Sequence, residues 1–399
     1  MSDSDSVISG LGCICAAGGD LAGAWKEMTA GISRPAGPDG LHAAIKRLSP
    51  VFAAPAVSES KIAGLSGPGM GKTRCVLLFL TALAEALAQA GLAAGDLRGR
   101  RIGVCVGTTV GCTLNDERFY IGFRKGEQPG LEAVDRFLAN NPAEYVHAAL
   151  DLFGPVSTIN NACTSGVDAI GQAREWISDG LCDMAIAGGT DELSRIPYLG
   201  FSSLLNTSAS PCRPFDLKRD GLNLGEGAGV LIMESRTHAR GRGAKTLVEV
   251  AGYGTCGDAY HPTAPHPEGL GLEQAIRRAL DRVAPAEIGF INAHGTATTA
   301  NDQVEGSTFA RIFGQRVTVF GSKGYTGHTL GAAGAIEAIF IAQGLLSGEI
   351  PATAGFSEPD PGCAIVPTRS LTKVRGDYAL STSLAFGGNN SALLLKLSQ

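Results

Sequence analysis

Two stretches decide how this chain is read: Ile102–Thr109, IGVCVGTT, and Ile288–Thr296, IGFINAHGT. Each opens on Ile-Gly, runs through a short apolar segment and ends in a turn of small residues. Short apolar runs of this kind fit strands buried on both faces. Further runs of the type lie at Asp183–Gly188, Gly227–Met233, Val317–Gly321 and Tyr378–Ser383. Between them, helix-like patterns occupy Thr73–Ala90, Leu131–Ala139, Asp168–Asp179, Glu268–Val283, Val304–Phe313 and Gly331–Leu346. Strands alternating with helices predict an α/β fold with covered sheets.

The halves recur in the same order. Cys163-Thr164-Ser165-Gly166 opens an apolar helix in the first half, and His328-Thr329-Leu330-Gly331 opens one in the second. Each half then closes a strand on a double glycine, Gly188-Gly189 and Gly387-Gly388. Three coincidences in one order predict a duplicated α/β unit, divided into residues 1–240 and 241–399. The competing explanation is that strand-to-turn junctions favour Gly and Thr in any protein.

Composition narrows the class. With 44% hydrophobic and 18% charged residues in 399, the chain has ample material for a core and is not disordered. A net charge of −5 argues against nucleic-acid binding through bulk charge. The 55 glycines follow no Gly-X-Y period, which excludes collagen. Ten cysteines without a C-x-x-C pair are too sparse for a disulfide scaffold and lack a zinc or redox motif. The N-terminal Met-Ser-Asp-Ser-Asp-Ser is acidic and polar, with no cationic region leading into an apolar one, so no signal peptide is expected. Two apolar stretches, Cys75–Leu92 and Leu330–Leu346, carry Glu85 and Glu337 and fall short of the ~20 residues of a membrane span. We expect buried helices, no membrane contact and a cytoplasmic protein.

One motif misleads. Ser66–Thr73, SGPGMGKT, resembles a phosphate-binding loop, but Ser66 stands where the pattern needs glycine and Pro68 interrupts it. It reads as a loop leading into the helix at Thr73.

The residues able to do chemistry sit at junctions. Cys163, in NACTSG before an apolar helix, is placed at the positive end of a macrodipole among unpaired N–H groups. Both features favour the nucleophilic thiolate, although a lone cysteine in such a run is usually part of a core. His294 follows a buried strand, and His328 lies between Gly327 and Thr329 at the mouth of a small-residue helix. An imidazole there is able to stabilise developing enolate charge or to serve a structural hydrogen bond. Lys323, five residues before His328, adds a cation between glycine-rich turns. Asp302 and Glu305 follow His294 by eight and eleven residues, within reach of pairing with that lysine.

Together these segments carry a resemblance. Asn161–Gly166 (NACTSG), Cys212–Gly229 (CRPFDLKRDGLNLGEGAG), Asn292–Asp302 (NAHGTATTAND), Gly321–Gly334 (GSKGYTGHTLGAAG) and Ala385–Asn390 (AFGGNN) are similar to motifs of the β-ketoacyl-[acyl-carrier-protein] synthases. The likeness is to the elongating, type II kind of the thiolase superfamily, over roughly residues 7–397. It implies a thiolase-like α/β fold, with duplicated α/β halves forming a layered αβαβα sandwich. The first half would carry the nucleophile and the second the His, His and Lys.

The resemblance also implies roles. Cys163 would accept the acyl group, and His294 and His328 would assist malonyl decarboxylation and hold the enolate. Lys323 would be the site lysine, with Glu305 and Asp302 in its network. Thr296 and Thr298 would bind the phosphopantetheine arm. Phe386 would gate, and its N–H and that of Cys163 would form the oxyanion hole. Val110 would line the acyl channel or pack a dimer interface. An acyl carrier protein would dock on Arg213 or on the pair Arg124-Lys125. The implied reaction is decarboxylative Claisen condensation with malonyl-carrier protein, in fatty-acid or related polyene or polyketide synthesis. No metal or resident cofactor is expected, since phosphopantetheine arrives on the carrier. The expected assembly is a homodimer, or a heterodimer with a related ketosynthase-like subunit.

One departure stands out: Leu384 occupies a position that many relatives fill with Phe. Other classes considered are a non-catalytic chain-length-factor-like subunit, a thiolytic or acetyl-CoA-primed thiolase-fold enzyme, and a cysteine hydrolase. The first lacks the nucleophile that Cys163 supplies. The second uses Cys–His–Cys or Cys–His–Asn sets, and the third has no motif here.

Overall fold

The computed structural model describes residues 6–41, 48–65, 67, 72–111, 117–132, 134–135, 141–315 and 317–398. The first half contributes strands β1 (Ser6–Cys15), β2 (Ile102–Gly107), β3 (Val156–Ile159), β4 (Met184–Asp191) and β5 (Gly227–Ser235). The second contributes β6 (Val248–Gly257), β7 (Ile288–Ala293) and β8 (Val319–Gly321), and later β11 (Tyr378–Ala385) and β12 (Asn389–Leu397). A short ribbon pairs β9 (Glu349–Ile350) with β10 (Thr372–Lys373).

The spatial orders coincide. From its outer edge the first half reads β3-β2-β4-β5-β1, and the second reads β8-β7-β11-β12-β6. The directions match as well. β2 is parallel to β3 and β4, as β7 is to β8 and β11. β5 is antiparallel to β4 and β1, as β12 is to β11 and β6. The fold is a duplication, and the halves join where Val7 pairs with Glu249 and Ile8 with Val248. That junction makes one sheet of ten strands.

Glycines explain why the two joining strands are hard to see in the sequence. A Cβ on Gly10 or Gly12 of β1 would lie 2.1 or 1.9 Å from the carbonyls of Ala86 or Ala82 in the helix Arg74–Gln89. Gly252 and Gly254 of β6 meet Ala279 and Ala275 of the helix Leu270–Leu280 in the same way, at 1.9 and 2.2 Å. Each outer helix lies so close to its strand that only glycine fits, and glycine weakens the strand signal.

The sheet folds around two inner helices. Ser165–Ser178 packs on β2 and β4, and Ala333–Ser347 packs on β5, β11 and β12 and against Ser165–Ser178. With the outer helices, this makes the αβαβα layering. Residues Leu330–Ser347 are long and apolar enough to cross a membrane by composition, yet 83% of that run is buried between the sheet halves. A helix enclosed on all sides has no polar face to keep.

Two of the three repeated features need correction. Both inner helices open on a three-residue 3₁₀ turn whose first residue is left-handed, Ala162 (φ 50°) and Leu330 (φ 52°). Cys163 therefore corresponds to Gly331, and His328 lies three residues upstream of that point. The double glycines are not equivalent either. Gly188 and Gly189 lie inside β4, whereas Gly387 and Gly388 form the turn between β11 and β12.

Two sequence features fall wholly or partly outside the described residues. Of the phosphate-loop look-alike, Ser66 and residues 68–71 lie outside them. Thr73 at its end caps the helix Arg74–Gln89, its hydroxyl accepting from the Val76 N–H at 3.2 Å. Of the expected helix Leu131–Ala139, residues 133 and 136–139 also lie outside.

Candidate active site

Three strand-to-helix junctions and one strand-to-strand turn converge on one cavity. β3 leads into the 3₁₀ turn bearing Cys163, β7 ends just before His294, β8 ends shortly before Lys323 and His328, and β11 ends just before Phe386. A cavity of about 420 Å³ is lined by Cys163, His294, His328, Thr296, Thr298 and Phe386, among others. The Cys163 Sγ and one ring nitrogen of each histidine lie within 4.8 Å of one another. The imidazoles stand nearly perpendicular, at 83°, with centroids 5.1 Å apart.

Hydrogen bonds fix the proton on each ring. His328 Nδ1 accepts the Leu330 backbone N–H at 3.1 Å. His294 Nδ1 accepts from the Lys323 ammonium at 3.1 Å. A neutral imidazole whose Nδ1 accepts carries its proton on Nε2. Burial holds both histidines well below the ordinary imidazole range, and the Lys323 charge adds to that push. Both rings are therefore neutral Nε2–H donors.

The lysine differs from the sequence expectation. Lys323 Nζ donates to Glu337 Oε1 at 2.5 Å and to the His294 carbonyl at 2.5 Å. Its counter-ion is Glu337 from the inner helix, and Glu305 and Asp302 have other work. Glu305 accepts the backbone N–H groups of His294 and Gly295, each at 2.7 Å, and the Thr382 hydroxyl at 2.9 Å. Asp302 accepts the Phe215 N–H at 2.7 Å and lies 3.6 Å from Arg219. These two carboxylates sit on the helix Thr299–Phe313, which turns them back toward the loop it follows. Burial pushes Glu305 up to about 7, and Asp302 and Glu337 up to about 6.

The nucleophile also departs from expectation. Burial pushes the Cys163 thiol up to about 12, although the Lys323 charge and the Phe386 N–H pull it down. Desolvation outweighs the helix terminus, so the resting group is a thiol.

The remaining sequence candidates are spread around this centre. Thr296 and Thr298 share a hydroxyl–hydroxyl bond of 2.8 Å at the cavity wall. The Phe386 ring tilts against Phe201 at 5.2 Å, and Leu384 lies in the same wall. Val110 does not line the cavity. It packs in a neighbouring apolar cluster with Leu224 and Leu330, which shares Phe201 and Leu222 with the cavity wall. Arg213 is half-buried and donates to the Ser210 hydroxyl at 3.1 Å. Arg124 and Lys125 are exposed at the end of the helix Glu117–Arg124.

Two acidic groups escaped the sequence reading of the site. Glu337 had a signal, since a lone Glu in an enclosed apolar helix calls for a cation. Asp191, at the end of β4, had none. It accepts the Thr108 hydroxyl at 2.7 Å and the N–H groups of Thr109, Val110 and Gly331 at 2.9, 2.9 and 2.6 Å. That carboxylate ties the β2 turn of the first half to the inner helix of the second.

The family model described as "Beta-ketoacyl synthase, N-terminal domain" matches residues 4–239, and that for the C-terminal domain matches residues 247–357. A putative polyketide β-ketoacyl synthase 1 of Streptomyces cyaneus is 42% identical over 256 residues, covering 61% of this chain and 60% of the relative. A 3-oxoacyl-[acyl-carrier-protein] synthase 2 of Staphylococcus aureus is 41% identical over 256 residues, covering 61% and 63%. The aligned stretch thus spans under two thirds of these curated relatives. Among solved structures, the ishigamide ketosynthase/chain length factor aligns with a TM-score of 0.87 at 30% identity, covering 99% of both chains. A β-ketoacyl synthase from Burkholderia phymatum aligns at 0.86 and 30%, covering 99% of this chain and 100% of the other.

Proposed function

The chain belongs to the β-ketoacyl synthase family, and from that premise we propose that it is an acyltransferase, a β-ketoacyl-[acyl-carrier-protein] synthase. The observation that carries the reading is the convergence of one thiol and two neutral Nε2–H imidazoles on one cavity. A hydrolase would need a base to activate water, and both rings are arranged as donors.

The reaction has two stages. In the first, the Cys163 sulfur attacks the thioester carbonyl of an acyl-carrier protein. The C–S bond to pantetheine breaks, and the proton lost from Cys163 ends on the departing pantetheine thiol. The Phe386 N–H, which reaches the Cys163 sulfur, supplies a donor for the carbonyl oxygen beside it. In the second, malonyl-carrier protein loses CO₂, and its thioester oxygen takes negative charge as the enolate forms. The Nε2–H groups of His294 and His328 stabilise that oxygen. The enolate carbon attacks the acyl-enzyme carbonyl, the Cys163 thiolate is expelled and takes one proton from water to regain the resting thiol, and β-ketoacyl-carrier protein leaves. Neutral donors suit this step because their bonds strengthen as charge develops.

Thr296 and Thr298 hold the pantetheine arm at the cavity wall, and no metal or resident cofactor takes part. Two solved neighbours are described as a ketosynthase with its chain length factor, and another as a ketosynthase complex with an acyl-carrier protein. By analogy this chain works on carrier-bound substrates in the cytoplasm, as a homodimer or paired with a related subunit. Its two halves, 1–240 and 241–399, act as one catalytic unit. Arg213, Arg124 and Lys125 are the docking cations, because local positive charge steers an acidic carrier despite the net −5. Charge reversal at Arg213 should raise KM for a carrier-bound substrate and spare a small thioester mimic; an unchanged KM removes it from the docking face.

The direct test is intact-mass analysis after incubation with acyl-carrier protein. One acyl group should add to the wild type and none to Cys163→Ala. Acylation of that variant would refute the reading.

A further inference from the structure

Asn161 stands two residues before Cys163, and its side chain is held at both ends. Its Nδ2 donates to Asp168 Oδ2 at 2.7 Å, and its Oδ1 accepts from Asn389 Nδ2 at 2.6 Å. Thr164, on the other side of Cys163, also donates to Asp168 Oδ2, at 2.8 Å. The nucleophile is thus bracketed by two residues that share one oxygen of one buried carboxylate.

The other oxygen of Asp168 faces the second half of the molecule. It accepts the Tyr253 hydroxyl from β6 at 2.8 Å and the Ser391 hydroxyl from β12 at 2.5 Å. Asn389, which holds the far end of Asn161, begins β12 only three residues after Phe386. Four neutral donors satisfy this carboxylate, and among the described residues no cation is paired with it. Room for the tyrosine is built in: a Cβ on Gly171, one turn along the helix from Asp168, would lie 2.5 Å from the Tyr253 ring.

We propose that Asp168 is a positioning residue that sets the Cys163 sulfur against the Phe386 N–H by clamping the nucleophile loop of one half to the β6 and β12 strands of the other. Each oxygen serves one half, so the clamp works only when both are engaged. This rests on the acyl-transfer reading for its importance, but the geometry it predicts is measurable without any acyl substrate.

The Phe386 N–H holds the Cys163 pKa down. If the clamp loosens, that donor withdraws, less thiolate forms and Cys163 alkylates more slowly. Deleting a carboxylate charge by itself would act the other way, favouring thiolate and faster alkylation. The sign therefore separates positioning from electrostatics.

The experiment measures iodoacetamide alkylation of Cys163 at fixed pH, by peptide mass, in Asp168→Asn, Tyr253→Phe and the double variant. Acyl transfer from an acyl-carrier protein is followed in parallel. Asp168→Asn should slow alkylation about 3–10-fold and lower the acyl-transfer rate about 10–100-fold with KM little changed, the scale of a displacement near 1 Å. Tyr253→Phe should show a smaller loss of the same sign, and the double variant should be no slower than Asp168→Asn, as expected of groups in one network. Alkylation as fast as wild type in Asp168→Asn, or losses that multiply in the double variant, would overturn the proposal. If Asp168→Asn does not fold, Tyr253→Phe decides alone, and a wild-type alkylation rate there overturns the clamp. A wild type that alkylates but never acylates would refute the acyl-transfer reading while leaving the alkylation comparison intact.

Discussion

Lys323 Nζ lies 3.1 Å from His294 Nδ1, and that contact decides what the imidazole is able to do. An ammonium only donates, so Nδ1 must accept and the ring proton must sit on Nε2. The same charge, after burial, keeps the ring from taking a second proton.

Removing that ammonium should therefore change both rate and pH profile. Glu337 must be neutralised with it, since a buried carboxylate left alone costs roughly 3–5 kcal/mol. In Lys323→Met/Glu337→Gln, malonyl decarboxylation should fall about 10²-fold, the scale of a misdirected donor. The His294 pKa lies below its ordinary value in the folded protein, so the wild-type ring stays neutral down to low pH. Without Lys323 the ring protonates at higher pH, and the acidic limb of the decarboxylation profile should move upward. CO₂ release measured across pH 5–8 checks this (roughly the range in which an imidazole titrates), and an unmoved acidic limb would count against the assignment.

The two histidines should divide the half-reactions from Cys163. His294→Ala and His328→Ala should each lose about 10²–10³ in decarboxylation, as when an oxyanion donor is removed. Self-acylation of Cys163 should persist in both, read as a mass increment. Equal loss of the two activities would show that the rings serve the thiol instead.

Glu305 should impose a penalty that depends on pH. Its folded-state pKa is raised from 4.5 to about 7. Between those values the native protein binds the extra proton, so this group's contribution to stability falls as pH rises through that window. Glu305→Gln mimics the protonated acid and lacks the penalty. Relative to wild type it should gain about 3 kcal/mol between low pH and pH 8, on top of a pH-independent loss of hydrogen bonds. Urea unfolding at the two ends of the window measures the difference, and a constant offset would mean that Glu305 is not ionising there.

Val110 adjoins the cavity through Phe201 and Leu222 and does not open onto it. A larger side chain should push that shared wall inward. Val110→Phe should keep short acyl substrates and discriminate against long ones, by about 1–3 kcal/mol per methylene at the limit. Product chain lengths by mass spectrometry give the answer. An unchanged profile with a weakened dimer would make Val110 an interface residue.

The fold and the reacting groups were legible because they are local. Ile102–Gly107 and Ile288–Ala293 announce buried strands through their own side chains, and Cys163, His294, Lys323 and His328 each sit in a short motif at a strand end. What was not legible depends on distance in space. Asp302 and Glu305 are near His294 in sequence, yet the helix that bears them aims them at backbone N–H groups. Glu337 reaches Lys323 only because the inner helix doubles back beside it. The Cys163 pKa followed burial, which no local pattern reports. β1 and β6 were missed because their glycines answer to helices that pack on them from elsewhere in the chain.

The ladder that runs unbroken from β3 to β8 has a mechanical meaning. The Val7–Glu249 and Ile8–Val248 pairs splice the two halves edge to edge, and both inner helices are gripped between them. Swinging the halves apart would have to break those backbone pairs. At the cavity rim the Phe386 ring leans on Phe201, and the glycines at 387 and 388 give its backbone freedom to turn. For the acyltransfer proposed above, a long acyl group would have to enter a continuous frame past that ring.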